Sequence, residues 1–246
     1  MKILIFGNKG YIANSIFFDK KKNFDVILLN KKVINQKKKF NKKVDLIIHT
    51  LGANKFNSQK KNIVTLKNKQ QITIDLIKFA KKNKIKKIIY LSSVNIYKND
   101  KKNLNLKDSY SNAHIAAENI LKKNSNNHLK ILILRASHFF GIRDIINSKG
   151  KFLSIGNKFI KCALKKQNFI LNNIDAKINI LPLNYFIFRI SKLLDFKGNF
   201  TRKDIFFLEI SLKVFLKYLS DFIKLKTGIS SVIYLDNGKI LRQKKN

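Results

Sequence analysis

Lys2-Ile3-Leu4-Ile5-Phe6-Gly7-Asn8-Lys9-Gly10-Tyr11-Ile12-Ala13 opens the chain, and Phe24-Asp25-Val26-Ile27-Leu28-Leu29 follows it. The first run is short, apolar and branched, as a buried strand is. It breaks into two glycines and then into residues that can start a helix. The second apolar run lies where the next parallel strand belongs. Strand, glycine turn, helix and strand make a βαβ unit.

Gly7 sits where a strand turns at once into a helix, a place that asks for unusual φ/ψ. Gly10 leaves no side chain between an anion and the N–H groups and dipole of the helix start. Ala13 takes the third position of the pattern and is small enough for close helix–strand packing. The spacing is G-x-x-G-x-x-A rather than G-x-G-x-x-G. In this context Gly7, Asn8, Lys9, Gly10, Tyr11 and Ile12 are expected to cradle a dinucleotide pyrophosphate. Taken alone, the same residues also fit an ordinary turn between strand and helix.

Outward from this unit the alternation continues. Residues 30–43 form a polar connection, Val44 to His49 a third strand, and 62–83 an amphipathic helix with Ile63, Leu66, Ile72, Leu76, Ile77 and Phe79 apolar. Ile88 to Leu91 is a fourth strand closing on Ser92-Ser93, a helix runs from about Ser109 to Lys123, and Leu129 to Leu134 is a fifth strand. The fold class is α/β: a Rossmann-type, doubly wound parallel sheet with a small C-terminal substrate lobe. The expected division is 1–150 for the dinucleotide-binding domain and 151–246 for the lobe. In the lobe we expect a helix near 151–166, short apolar pieces at 169–171 and 178–181, a helix opened by Pro182, another from about Leu208 to Leu225, and a strand at 231–235.

The chain has 246 residues, 45% of them hydrophobic, enough for a sizeable core. One cysteine, Cys162, excludes an internal disulfide framework and fits a reducing compartment. No apolar segment approaches the roughly 20 uninterrupted residues of a membrane span. The expectation is a cytoplasmic protein with no membrane partner. The net charge of +38 raises the question of nucleic acid, yet only five of the 52 basic residues are arginine and the lysines spread over nearly every segment. Lysine, asparagine, isoleucine and phenylalanine have A/T-rich codons, so base composition explains the excess. We expect weak, salt-sensitive adhesion to polyanions and no specific nucleic acid. No His/Cys cluster has metal-ligand spacing.

Three pieces should meet at the carboxyl edge of the sheet: Ser92-Ser93 after the fourth strand, Tyr110 at a helix start, and His114 one turn later. A tyrosine exchanges protons with a carbonyl or alcohol when a nearby cation lowers its pKa. Read singly, Tyr110 is also an aromatic at a helix start and His114 a polar residue on a solvated face.

At these residues the chain resembles the extended short-chain dehydrogenases/reductases, specifically the NAD-dependent epimerase/dehydratase group acting on nucleotide sugars. The likeness rests on Gly7-x-x-Gly10-Tyr11-Ile12-Ala13, on Ile48-His49-Thr50-Leu51-Gly52-Ala53, on Lys86 to Tyr97, on Tyr110-Ser111-Asn112-Ala113-His114 with Ala116-Ala117-Glu118, and on Leu134 to Gly141. The resemblance implies Ser93, Tyr110 and His114 as catalytic residues. It implies Ser92, Leu51, Gly52 and Ala53 as neighbours of the cofactor, and a nucleotide-sugar substrate. It also implies a homodimer formed through the helices at 62–83 and 109–123. His114 stands where the group has lysine, which holds the ribose and depresses the tyrosine pKa. His138 replaces its usual asparagine, and no proline follows Gly141.

Cofactor choice is read after the second strand, where an acidic residue selects NAD and basic ones accommodate the 2′-phosphate of NADP. Asn30, Lys31 and Lys32 lean toward NADP. The implied function is NAD(P)-dependent epimerisation, dehydration or reduction of a nucleotide sugar. The alternative is a dinucleotide-binding sensor or assembly protein whose catalysis is impaired by His114.

Overall fold

The computed structural model of the chain describes all residues except 9, 36–39, 41–42, 52–61, 98–108, 142–153, 172, 231–232, 236–239 and 242–246. It divides into two compact units: Met1–Ser137 with Phe186–Ile205, and His138–Tyr185 with Phe206–Asn246.

The first unit is built on six parallel strands: β1 (Lys2–Phe6), β2 (Asp25–Leu29), β3 (Leu46–His49), β4 (Lys87–Ser93), β5 (Lys130–Ala136) and β9 (Phe200–Ile205). Their spatial order is β2-β1-β3-β4-β5-β9. Helices α1 (Tyr11–Lys20), α2 (Lys31–Asn35), α3 (Asn62–Lys82) and α4 (Ser109–Asn124) connect them. The chain runs from β1 to β2 on one side and returns to β3 on the other. The carboxyl ends of β1 and β3 therefore flank a topological switch point, where ligands bind in such sheets.

Parallel strands covered on both faces read as continuous apolar runs. Ile3 to Phe6 and Ile131 to Leu134 are wholly buried. In register, Leu4, Ile47, Ile88 and Ile131 form one row across the sheet, and Phe6, His49, Tyr90 and Ile133 the next. These rows pack with Leu76, Phe79 and Ala80 of α3 and Ala117 and Leu121 of α4. A third row, Ser92, Arg135 and Asp204, is polar and lies at the carboxyl edge.

The second unit holds two three-stranded sheets. In one, β8 (Lys177–Pro182) pairs with β6 (His138–Phe140) in parallel and with β10 (Leu208–Ser211) antiparallel. In the other, β11 (Ile233–Leu235) pairs with β7 (Phe169–Leu171) in parallel and with β12 (Ile240–Leu241) antiparallel. Helices α5 (Ile155–Leu164) and α7 (Leu212–Thr227) share a core of Phe159, Ile160, Ala163, Phe215 and Leu216. Helix α6 (Leu183–Ser191) starts directly after Pro182.

Five elements differ from the sequence reading. The connection at 30–43 contains the short helix α2. The segment from Leu208, read as helical, first forms β10, and the helix starts at Leu212 because the Ser211 side chain accepts from the Val214 N–H and caps it. Strands β6, β9 and β12 had no counterpart in the sequence reading. The chain's last five residues lie outside the described residues.

Leu132, in the second-last strand of the large sheet, has no exposure, whereas Ile170 is 61% exposed. Leu132→Ala should lower the unfolding free energy by about 3 kcal/mol in urea denaturation, and Ile170→Ala by under ~0.5.

Candidate active site

Gly7 has φ +128° and is buried. A Cβ there would stand 2.4 Å from Thr50 Oγ1, whose hydroxyl donates to the Phe6 carbonyl at 2.7 Å. The amides of Gly7 and Asn8 both donate to the Leu29 carbonyl, at 3.0 and 3.3 Å, and Gly10 N donates to Gly7 O at 2.6 Å. The turn is thus held to β2 on one side and to the end of β3 on the other. Gly10 is the N-cap residue of α1, and no side chain caps that helix. Asn14 Nδ2 instead donates to the carbonyls of Asn8 and Gly10, both at 2.8 Å. An uncapped helix start presenting its first N–H groups behind glycines is an anion cradle.

Around it, Asn30 lies exposed after β2, with Lys31 exposed at the start of α2, and Leu51 half-buried after β3. Tyr11 and Ile12 are half-buried, and Asn8 is exposed. Lys9, Gly52 and Ala53 lie outside the described residues, as does Asp108 before α4.

The other group gathers on β4 and α4. Ser93 Oγ accepts from the Asn95 N–H at 3.2 Å and caps the short 3-10 turn Val94–Ile96. Ser111 Oγ donates to Asn95 O at 2.8 Å, which ties the start of α4 to this turn. Tyr110 and His114 have ring centroids 4.6 Å apart. His114 is buried, not on a solvated face, and its Nδ1 lies 3.3 Å from Ser92 Oγ. Ser92 Oγ donates to Glu118 Oε1 at 2.7 Å. A hydroxyl has one proton, so Nδ1–H of His114 must be the donor to Ser92. In the neutral imidazole this leaves the lone pair on Nε2, a buried atom with no hydrogen-bond partner among the described residues. The structure therefore joins Tyr110, His114 and Ser92, while Ser93, next along the strand, is held by the turn.

Glu118, 1% exposed, is gripped by Arg135 through Nε at 3.1 Å and Nη2 at 2.6 Å, and by Arg202 Nε at 3.3 Å. Arg135 also donates to the Tyr97 hydroxyl, which donates to Asp204 at 3.2 Å. Beneath this network His49 stacks on Tyr90, with centroids 5.1 Å apart, and neither of its ring nitrogens has a hydrogen-bond partner among the described residues. Lys69 of α3 is 2% exposed; its Nζ donates to Leu51 O at 2.9 Å and lies 5.0 Å from the Tyr90 ring centroid.

Burial sets the charges. It pushes His49 down to about 3, with the Lys69 charge adding to the effect. It pushes His114 well below the ordinary histidine value, helped by Lys69 and then His49. Lys69 is lowered to about 7 by burial. Sequence reasoning passed over Lys69 and Arg202. For Lys69 a signal existed: it stands three residues after Leu66 and three before Ile72, on the apolar stripe of the helix, where a solvated lysine does not belong.

The model of the NAD dependent epimerase/dehydratase family matches residues 3–178. The chain belongs to that family. No curated protein matches it. Among solved structures it is similar to the UDP-glucose 4-epimerase of Thermotoga maritima with UDP-glucose, at 14% identity and a TM-score of 0.79, over 99% of this chain and 87% of that one. It is also similar to the Thermus thermophilus UDP-glucose 4-epimerase in complex with NAD, at 13% identity and a TM-score of 0.74, over 98% and 88%. A third is RMD from Pseudomonas aeruginosa complexed with NADPH, at 15% identity and a TM-score of 0.75, over 96% and 88%. At these identities the likeness is one of fold.

In this epimerase/dehydratase family member Gly7 allows no Cβ against Thr50 and holds a left-handed φ, so the turn between β1 and α1 depends on glycine. Among the described residues no group of three His, Cys, Asp or Glu could hold a metal, and no helix is long and apolar enough to cross a membrane.

Gly7→Ala should lower the melting temperature through both the clash and the strained φ, the strain alone being worth about 1–3 kcal/mol. Adding Thr50→Ala should recover only the steric part. Full recovery in the double variant would show that φ carries no strain there. A base less basic when folded makes the unfolded chain hold more protons, so stability rises with pH between the two values. For His49 that interval runs from about 3 to 6.5. The urea midpoint should climb from pH 4 to 6.5, and less steeply in His49→Gln; an equal slope in the variant contradicts the account.

Proposed function

We propose that the protein is a nicotinamide-dinucleotide-dependent enzyme that epimerises, dehydrates or reduces a nucleotide sugar. The observation that carries this is the pairing of Tyr110 with a buried, hydrogen-bonded imidazole on α4. That pair sits in the same unit as a glycine cradle at the switch point of the sheet. The family supports it, as do similar structures named for UDP-glucose epimerisation and for bound NAD or NADPH.

A bound dinucleotide supplies hydride exchange at its nicotinamide C4. In this reading Gly7, Asn8, Lys9, Gly10, Tyr11 and Ile12 form the pyrophosphate site: the amides of Gly7, Asn8 and Gly10 hold the turn's shape, and the anion lies against the first turn of α1. Leu51, Gly52 and Ala53 border the cofactor after β3, with Ser92 at the end of β4. Asn30 and Lys31 face the ribose end, with NADP favoured over NAD. Tyr110 passes a proton to or from the sugar oxygen, and Ser93 orients that oxygen. His114 acts as a neutral acceptor through Nε2 rather than as a cation, its ring fixed by Ser92 and Glu118. The C-terminal lobe from residue 151, apart from Phe186–Ile205 of the first unit, holds the sugar.

A second reading is favoured by that same neutrality of His114: a dinucleotide-binding sensor or assembly protein whose turnover is impaired. Two experiments separate the readings. Tyr110→Phe should reduce turnover of keto-sugar nucleotides by about a hundredfold or more. Unchanged turnover removes the proton donor from the scheme. A thermal-shift screen with NAD, NADP and UDP-, GDP- and dTDP-sugars should raise the melting temperature with a dinucleotide and further with one sugar class. A rise with dinucleotides only, together with turnover gained in His114→Lys, identifies the impaired protein.

A further inference from the structure

Three nitrogen-bearing side chains converge behind the carboxyl ends of β3 and β4: His49, His114 and Lys69. Both histidines lack a hydrogen-bond partner on at least one buried nitrogen, and burial keeps both neutral. Among the described residues the other charges beside this cluster pair off. Arg135 and Arg202 stand against Glu118, and Asp204 takes the Tyr97 hydroxyl that Arg135 also holds: two positive and two negative groups. Lys69 stands outside this balance. An ammonium has three N–H donors, and the described residues offer Lys69 the Leu51 carbonyl at 2.9 Å and the face of Tyr90. A cation costs several kcal/mol to bury so sparsely, and ionisable groups held this way cluster at functional sites.

We propose that Lys69, reaching in from α3, is the site's cation, and that its protonation decides whether the edge beside Tyr110 and His114 carries a positive charge. It is a positioning residue. It holds the Leu51 carbonyl after β3, and its charge acts on the α4 pair through His114. The assignment rests on reading this edge as a dinucleotide-dependent active site. The groups facing it are His49 from β3, Tyr90 from β4 and His114 from α4, with Tyr110 and Glu118 of α4 acting on Tyr90 behind them, and Thr73 on its own helix, whose hydroxyl donates to Lys69 O. With both histidines neutral and Glu118 paired, Lys69, near 7, is the group of this cluster that changes charge around neutrality. The positive charge is present below that pH and lost above it.

Ring-labelled histidine makes the test tractable, because the chain has four histidines. In the full-length protein the signals of His49 and His114, assigned by substitution, should stay at neutral-imidazole positions from pH 5.5 to 8.5. They should nevertheless share a small step centred near pH 7. The step should vanish in Lys69→Gln, which keeps a donor for Leu51, and in Lys69→Met. NADH, which has no group titrating between pH 6 and 8, should bind about threefold to tenfold more tightly at pH 6 than at pH 8 in the natural protein, and equally in Lys69→Gln. A titration without the shared step, or a step that survives both substitutions, overturns the assignment whatever NADH does. A step that behaves as described, with neither NADH nor NADPH binding at either pH, establishes Lys69 as the cation and overturns the dinucleotide reading instead.

Discussion

The close approach of two backbones at Gly7 is the constraint on which the first unit depends. Thr50 Oγ1 lies 2.4 Å from where a Cβ would be and is bonded to the carbonyl of the residue just before Gly7. The end of β3 can close on the end of β1 only because position 7 has no side chain. With β2 holding the turn from the other side through the Leu29 carbonyl, the start of α1 is aimed across the switch point. No side chain caps the helix there.

A sheet whose strands are apolar throughout must change character at the edge where it meets a ligand. Here the change takes one register step, from Tyr90 and Ile133 to Ser92, Arg135 and Asp204. The half-buried Arg135 of that row pairs with the buried Glu118 of α4, because a carboxylate left unpaired there would be costly. The pairing does more than stabilise. Arg135 and Arg202 fix Glu118, Glu118 fixes Ser92, and Ser92 fixes the tautomer of His114 beside Tyr110. Position 114 holds a buried histidine, and a buried lysine, Lys69, enters from the adjacent helix.

Most of the large sheet was legible because its strands are buried on both faces and spelled in isoleucine and leucine. β1 to β5 could be read from those runs, and the glycine turn from its place between β1 and α1. β9 could not. Phe-Thr-Arg-Lys-Asp-Ile is an edge strand, with Arg202, Lys203 and Asp204 exposed, and its polarity hides it. β10 was hidden for a different reason, since Leu208-Glu209-Ile210 continues the apolar spacing of the helix after Ser211. At the site, Tyr110 and His114 were legible from their one-turn spacing. The partners of His114 were not, because Ser92 and Glu118 meet it only through the fold. Lys69 was obscured by composition: where lysine is everywhere, one lysine on the wrong face of a helix draws no notice.

A crystal structure of the protein grown with NADH examines the central claim most directly. The account predicts the pyrophosphate against the first turn of α1 and the nicotinamide ring facing Tyr110. A dinucleotide bound elsewhere, or a Tyr110 hydroxyl directed away from the nicotinamide, contradicts it.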